Sequence, residues 1–424
     1  MARRANPLLP ILQKLGPGLI TGAADDDPSG IAAYSQGGAQ FGYNILWTLF
    51  FTYPLMVGIQ LVSARIGRVT GYGIAGNIRR NYPPALLYGV VALLLLANTI
   101  NIGADISAMA DALALLIGGP RHAYVVGIGA LCVVLQVFVS YARYVRVLKW
   151  LTLSLFAYVG VVFAVDIPWA EVARAVLLPS VSIAPEYITT VVAIFGTTIS
   201  PYLFFWQASQ ECEDLRASRA EKPLRGHPEQ ARVQLRRMKL DTYIGMGFSN
   251  LIAFFIMLTT AATLHSHGVT DIQSSGQAAE ALRPIAGRFA FLLFSLGIIG
   301  TGLLAVPVLA GSSAFALAES FKWRRGLDLS PARGSRFYGV IAVSTLIGST
   351  LSFAPIDPLK ALYWAAVING VISTPIMVVM MLMASNKKVM GDFVVRPHLK
   401  ALGWVATMAM GVAVSAMFVQ MLWH

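Results

Sequence analysis

Eleven apolar runs, most of them roughly 20 residues or longer, leave this chain few ways to fold, because a helix of that length crosses a hydrocarbon core about 30 Å thick. Inside such a core every backbone N–H and C=O must find an internal partner, and runs this long suit helices better than the short alternating strands of a barrel. The runs lie at about 16–38, 44–66, 84–115, 122–141, 147–166, 186–213, 239–264, 287–318, 335–353, 359–384 and 401–423. A composition that is 56% hydrophobic and only 12% charged has too little charge to solvate the apolar excess. The expectation is an all-α polytopic membrane protein, one transmembrane domain over 1–424, with no soluble enzyme core.

The net charge of +12 does not point to nucleic acid, because the cations sit in short segments between the apolar runs. With a cytoplasmic N-terminus, all 32 Lys and Arg fall on the inside except Arg121, Arg174, Arg283, Arg288 and Lys360. The inside set includes Arg3, Arg4, Lys14, Arg143, Arg146, Lys149 and the cluster from Arg216 to Lys239. An odd number of spans places the C-terminus outside, and the expected location is a bacterial cytoplasmic (inner) membrane. Residues 215–238 are expected to form a polar, positive-inside loop, and His265 and His267 to be loop residues of the outer face. Cys132 and Cys212 have neither disulfide nor metal spacing. No removable signal peptide is expected at Met1–Lys14.

Two runs are interrupted. The first contains Asp25-Asp26-Asp27-Pro28-Ser29-Gly30, and the second, five spans later, contains Gly196-Thr197-Thr198-Ile199-Ser200-Pro201-Tyr202. A proline can merely kink a membrane helix, but an unpaired carboxylate at mid-bilayer costs at least about 3 kcal/mol, and the first break holds three. Because five is odd, the two broken spans run in opposite senses. That is the mark of an inverted repeat, here about 16–166 and 186–384 with an added span at 401–423, whose broken helices meet at the midplane. Asp27, directly before Pro28, is the expected ligand of a bound ion. Asp25 and Asp26 either line the cavity or contact neighbouring helices. Asn98, Asn101 and Asp105 share one face of the third span and are expected along the permeation path, as are Tyr202 and Gln207. Asn369 is a candidate ligand or a packing amide of the tenth span.

The donors at the breaks are hard: carboxylate, hydroxyl and freed carbonyl oxygens, with Gly30 and Ser200 small enough to leave room for water. Oxygen-only sites suit Mg²⁺, Mn²⁺ or Ca²⁺, and Mg²⁺ in particular keeps part of its hydration shell.

At these residues the chain resembles the Nramp family of divalent-metal transporters, which carry a DPGN motif in the first span and an MPH motif in the sixth on a LeuT-type fold. Gly16-Pro17-Gly18 and Gly37-Gly38-Ala39-Gln40-Phe41-Gly42-Tyr43 look like the segments that frame the first motif. The resemblance implies a metal-binding role for Asp27, backbone carbonyl ligands at Ala24 and Thr197, and a polar contribution near Asn369. Gly30 stands where the family has a metal-binding asparagine, Ser200 where it has a methionine, and Tyr202 where it has a histidine. The family's acidic pair of the third span becomes Asn101 and Ala104, with Asp105 one place off. Those departures are similar to the Nramp-related magnesium transporters and imply a wider, more hydrated site without proton coupling.

The expected function is therefore uptake of Mg²⁺, and secondarily Mn²⁺, by alternating access, with the ion as substrate and no cofactor. Two rivals share the fold: a proton-coupled Mn²⁺/Fe²⁺ symporter and a sodium-coupled organic-solute symporter. A membrane enzyme would need a catalytic motif such as HExxH, Walker A or GxSxG, and none stands in a fitting context.

Overall fold

The apolar runs form helices in the computed structural model of the protein, which describes residues 21, 22, 24–139, 148, 150–218 and 220–423. Arg3, Arg4, Lys14, Arg143, Arg146, Lys149, Arg219 and the Gly16-Pro17-Gly18 segment lie outside the described residues. Among the described residues there is no strand.

In chain order the principal helices are α1 (Pro28–Phe41), α2 (Trp47–Thr70), α3 (Ile74–Asn81), α4 (Pro84–Ile117), α5 (Arg121–Phe138), α6 (Phe156–Val162) and α7 (Trp169–Leu177). They continue with α8 (Pro185–Thr198), α9 (Pro201–Ala217), α10 (Ala231–Thr263), α11 (Ala290–Ser320), α12 (Ser335–Leu351), α13 (Pro358–Ala384) and α14 (Pro397–Trp423). Eight helical stretches among the described residues, counting α8 and α9 together, are long and apolar enough to cross a membrane. The expected fifth and ninth spans are shorter, Leu151–Val162 and the 17-residue α12, and only part of the first is described.

Three features depart from the expected boundaries. α10 starts at Ala231, about two turns before the apolar run. Its polar first turns are built from good helix formers, and Arg237 there is held by Asp214 and Glu221. α3 and α7 are short amphipathic helices between spans, which a search for long apolar runs passes over. The stretch at Leu151–Leu155 is a 3₁₀ turn leading into α6.

Prolines alone do not interrupt the helices. Pro54, Pro307 and Pro375 all lie inside continuous helices, in α2, α11 and α13. The chain breaks where the residue before the proline is extended, at Asp27 (φ −72°, ψ 169°) and at Ser200 (φ −85°, ψ 142°). Around these breaks α1 packs against α8, α10 and α13, α8 lies along α13, and α4 lies along α11. Burial separates centre from periphery: 89% of the apolar window in Pro185–Ala217 is buried, against 17% in α5. The broken sixth span is the middle of the molecule. The exposed apolar faces of α5 and α14 are what lipid-facing helices require.

Candidate functional site

Asp27 is placed by the helix it starts. As N-cap of α1, its Oδ1 accepts the Gly30 N–H at 2.8 Å and the Ser29 hydroxyl at 2.7 Å, satisfying an orphan donor of the first turn. Its other oxygen, Oδ2, is aimed at different elements: Asn101 Nδ2 of α4 donates to it at 2.9 Å, and the Tyr202 hydroxyl of α9 lies 3.4 Å away. One carboxylate thus fixes the break with one oxygen and presents the other to the centre of the protein.

The second break meets the first through Tyr202, whose hydroxyl also lies 3.2 Å from the Ala24 carbonyl and donates to it. Freed carbonyls here are held by hydroxyls. Ser200 Oγ bends back to the carbonyls of Gly196 (2.6 Å) and Thr197 (2.8 Å), and Ser373 of α13 donates to that of Ile199 at 2.5 Å. A carbonyl oxygen has two lone pairs, so each retains acceptor capacity for a cation or its water. The elements approach closely, with a side-chain hydroxyl facing Gly30 and backbone facing Gly196. A Cβ on Gly30 would lie 2.9 Å from Thr197 Oγ1, and one on Gly196 would lie 2.1 Å from the Ala366 carbonyl oxygen of α13.

Asn369 lies on α13 with its side chain fully buried, and neither its Oδ1 nor its Nδ2 has a hydrogen-bond partner among the described residues. Buried amides are almost always satisfied, so an orphan of this kind calls for an absent partner. The two Asp105 oxygens of α4 are in the same condition. Asn98, by contrast, donates to the Leu309 carbonyl and to Ser312 and Ser313, which ties α4 to α11. Gln207 sits beyond the break, accepting from Thr21 Oγ1 at 2.5 Å and donating to Glu211 at 3.0 Å.

Asp25 and Asp26 turn towards α10. The Ser249 hydroxyl contacts Asp25 Oδ2 and lies 3.0 Å from Asp26 Oδ1. Ser249 and Ser373 carried no sequence signal, each being one small hydroxyl in an apolar helix. A fully buried arginine, Arg68, with Glu211, Asp214 and Glu221 was also missed, although charges set so near an apolar run were visible. His265, on the far side of α1 from Asp27 in sequence, contacts the Ala39 carbonyl through Nδ1 at 2.8 Å.

Access differs at the two ends. A cavity of about 520 Å³ opens between α1, α8 and α13, lined by Ser35, Gln36, Gln40, Glu186, Thr189 and Tyr363, with Ala32 at its wall within one turn of Gly30. At the opposite end Thr21, Gln207, Glu211 and Arg68 form a continuous hydrogen-bonded chain from the segment before the first break to α9 and α2.

Residues 18–420 match the family model for natural resistance-associated macrophage protein-like (Nramp) proteins. The chain belongs to the Nramp family. Among relatives of this Nramp protein is a divalent metal cation transporter MntH of Bradyrhizobium diazoefficiens, 27% identical over 415 residues, covering 93% of this chain and 86% of the relative. A divalent metal cation transporter MntH of Klebsiella pneumoniae is 26% identical over 406 residues, covering 93% and 90%. A solved manganese transporter of Eremococcus coleocola superposes with a TM-score of 0.78 at 18% identity, covering 98% of this chain and 89% of the other. The nucleobase-cation-symport-1 family transporter Mhp1 is similar at a TM-score of 0.59 and 14% identity, covering 95% and 91%. The Nramp chain is thus a multi-pass, all-helical membrane protein on the LeuT-type fold shared by these structures.

The orphan amide makes a clean test. Asn369→Ala removes no hydrogen bond found among the described residues, so the melting temperature of the purified protein should change by less than that of a packing mutant such as Leu362→Ala. Uptake of the transported ion should fall about tenfold, the loss of one ligand-grade hydrogen bond or dipole. Unchanged uptake would make Asn369 a spacer between helices.

Proposed function

We propose that this Nramp protein is a carrier for divalent metal cations that moves Mg²⁺, and secondarily Mn²⁺, inward by alternating access, partly hydrated and without proton coupling. The observation that carries the reading is the junction of the two breaks. Asp27 Oδ2, the carbonyls of Ala24 and Thr197 and the Ser200 hydroxyl supply oxygen donors, we read the orphan Asn369 amide as a further one, and neither break holds sulfur or imidazole. Such a set suits Mg²⁺ and Mn²⁺ over softer ions. Gly30 and Ser200 are the smaller residues where the resemblance places an asparagine and a methionine in other Nramp transporters, which supports an ion that keeps part of its water.

The open cavity beside Tyr363 and the hydrogen-bonded chain at Arg68 support the reading of a carrier accessible from one end, as alternating access requires. With a cytoplasmic N-terminus, the cavity faces outward. Two charges crossing 100 mV gain about 4.6 kcal/mol, which suffices for accumulation without protons. The competing reading, proton-coupled Mn²⁺ or Fe²⁺ uptake, draws on Asp105, a buried carboxylate on α4 one turn from Asn101.

One experiment separates them. In proteoliposomes with Mg²⁺, Mn²⁺ and Ca²⁺ in competition and internal pH recorded, Mg²⁺ should inhibit Mn²⁺ uptake and the lumen should hold its pH. Acidification in step with Mn²⁺ entry, or indifference to Mg²⁺, would overturn the proposal. Adding bulk at the break, with Gly30→Asn and Ser200→Met together, should shift preference towards Mn²⁺ by at least about tenfold as the site loses room for water.

A further inference from the structure

The connection between α11 and α12 holds charge that has no counter-charge among the described residues. Several arginines near this end have partners: Arg68 and Arg237 share Asp214 and Glu221, Arg216 pairs with Glu213, Arg325 with Glu319, and Arg65 donates to the Phe393 carbonyl. Among the described residues Lys322, Arg324, Arg333 and Arg336 have no carboxylate partner, yet all four converge on one cavity of about 300 Å³ together with Trp323 and Ser335. The carboxylates of the neighbourhood are placed elsewhere. Glu319 is occupied by Arg325 and by the N–H groups of Gly73 and Gly76, and Asp328 is exposed and does not line the cavity.

The backbone favours an anion at the same place. Lys322 adopts φ 59°, the one non-glycine residue in the left-handed region among the described residues, a conformation that costs about 1 kcal/mol or more and turns the chain sharply off the end of α11. α12 starts on the opposite wall with Gly334 as N-cap and no side-chain cap, so the N–H groups of its first turn are unclaimed and its positive dipole end adds to the four cations. Like charges gathered without counter-charge repel each other, and an anion would relieve that.

The surroundings identify the source of the anion. The Arg336 guanidinium lies 5.6 Å over the Trp323 ring, Trp323 stacks on Phe321 at 5.2 Å, and Phe321 lies 6.2 Å from Tyr88 of α4. Phe321 is 47% exposed and Tyr88 52%. An aromatic strip thus leads from the cationic cavity onto the apolar, lipid-facing surface at the ends of α4 and α11, the arrangement of a membrane interface. We propose that the cavity between α11 and α12 binds the phosphate of an anionic phospholipid, with the acyl chains running along Phe321 and Tyr88. Cations that face the membrane surface in this way attract anionic lipid.

The test uses the full-length protein in neutral detergent, titrated with dioctanoyl phosphatidylglycerol, dioctanoyl phosphatidylcholine or inorganic phosphate, with the thermal shift read at each concentration. Phosphatidylglycerol should stabilise and phosphatidylcholine should not. Arg324→Gln with Arg333→Gln should weaken the phosphatidylglycerol response about 30-fold. The charge-matched control Lys387→Gln with Lys388→Gln, on exposed residues away from the cavity, should change it by less than about threefold. Ser335→Glu, which sets a carboxylate in the cavity without removing any cation, should also weaken it. Equal losses in the cavity and control variants, an equal response to phosphatidylcholine, or inorganic phosphate acting as well as the lipid would each overturn the proposal.

Discussion

Asp27→Asn is expected to reduce divalent-cation uptake in proteoliposomes about 100-fold or more while leaving the protein folded, the equivalent of ~2.8 kcal/mol or more in the bound ion's stabilisation. The choice of asparagine separates the two tasks of this side chain. Asparagine caps a helix as well as aspartate does, so the bonds from Gly30 and Ser29 to Oδ1 survive the change. What disappears is the negative charge on the oxygen facing Asn101 and Tyr202. Asp27→Ala removes both functions and should add a stability loss of about 1 kcal/mol from the missing cap. Ser29→Ala, which trims the cap and spares Oδ2, should transport nearly as well as the parent. Normal Mg²⁺ and Mn²⁺ uptake by Asp27→Asn would remove the metal-binding role from this residue and with it the proposed site.

Much of this was legible in the residues because the membrane makes violations expensive. Three carboxylates beside a proline in an apolar run have few explanations, and the break appears where they stand. Asn101 was legible for the same reason and does face Asp27. The limits are also physical. Asn98 shares that face of α4 and looks the same in sequence, but α4 is long and its amide reaches α11. Which of two polar residues on one helical stripe meets the site depends on where the neighbouring helices cross, and no local pattern encodes that. Asp25 and Asp26 show the same effect: adjacent to Asp27, both contact Ser249 of α10, while Asp27 faces Asn101 and Tyr202. α3 and α7 were illegible because amphipathic helices of 8 and 9 residues are too short to register against spans of 20 or more.

Arg68→Met is expected to be the most destabilising single change at the closed end, by about 3–5 kcal/mol, because it strands Glu211. Both side chains are 1% exposed, with Arg68 Nε 2.6 Å from Glu211 Oε2, and Gln207 is the remaining side-chain donor to that carboxylate. The reverse change should cost less. With Glu211→Gln, Arg68 keeps Asp214 at 2.6 Å and Glu221 at 3.0 Å, both at the partly exposed edge of the cluster, so its charge stays compensated. Combining Arg68→Met with Glu211→Gln should recover part of the loss, with a coupling of about 1–3 kcal/mol in a double-mutant cycle. Glu221→Gln, 23% exposed and shared with Arg237, should fall below about 1 kcal/mol. Unfolding of the purified variants, followed by denaturant or heat against the parent, gives this order directly, and equal effects for Arg68→Met and Glu221→Gln would show the cluster to be solvated. The order matters for transport because Glu211 also holds Gln207, and Gln207 holds Thr21 ahead of the first break. A carrier that opens at this end must part Thr21 from Gln207, so weakening the cluster through Glu211→Gln, with Thr21 and Gln207 both kept, should ease that opening and speed amide hydrogen exchange in the segment that carries Thr21.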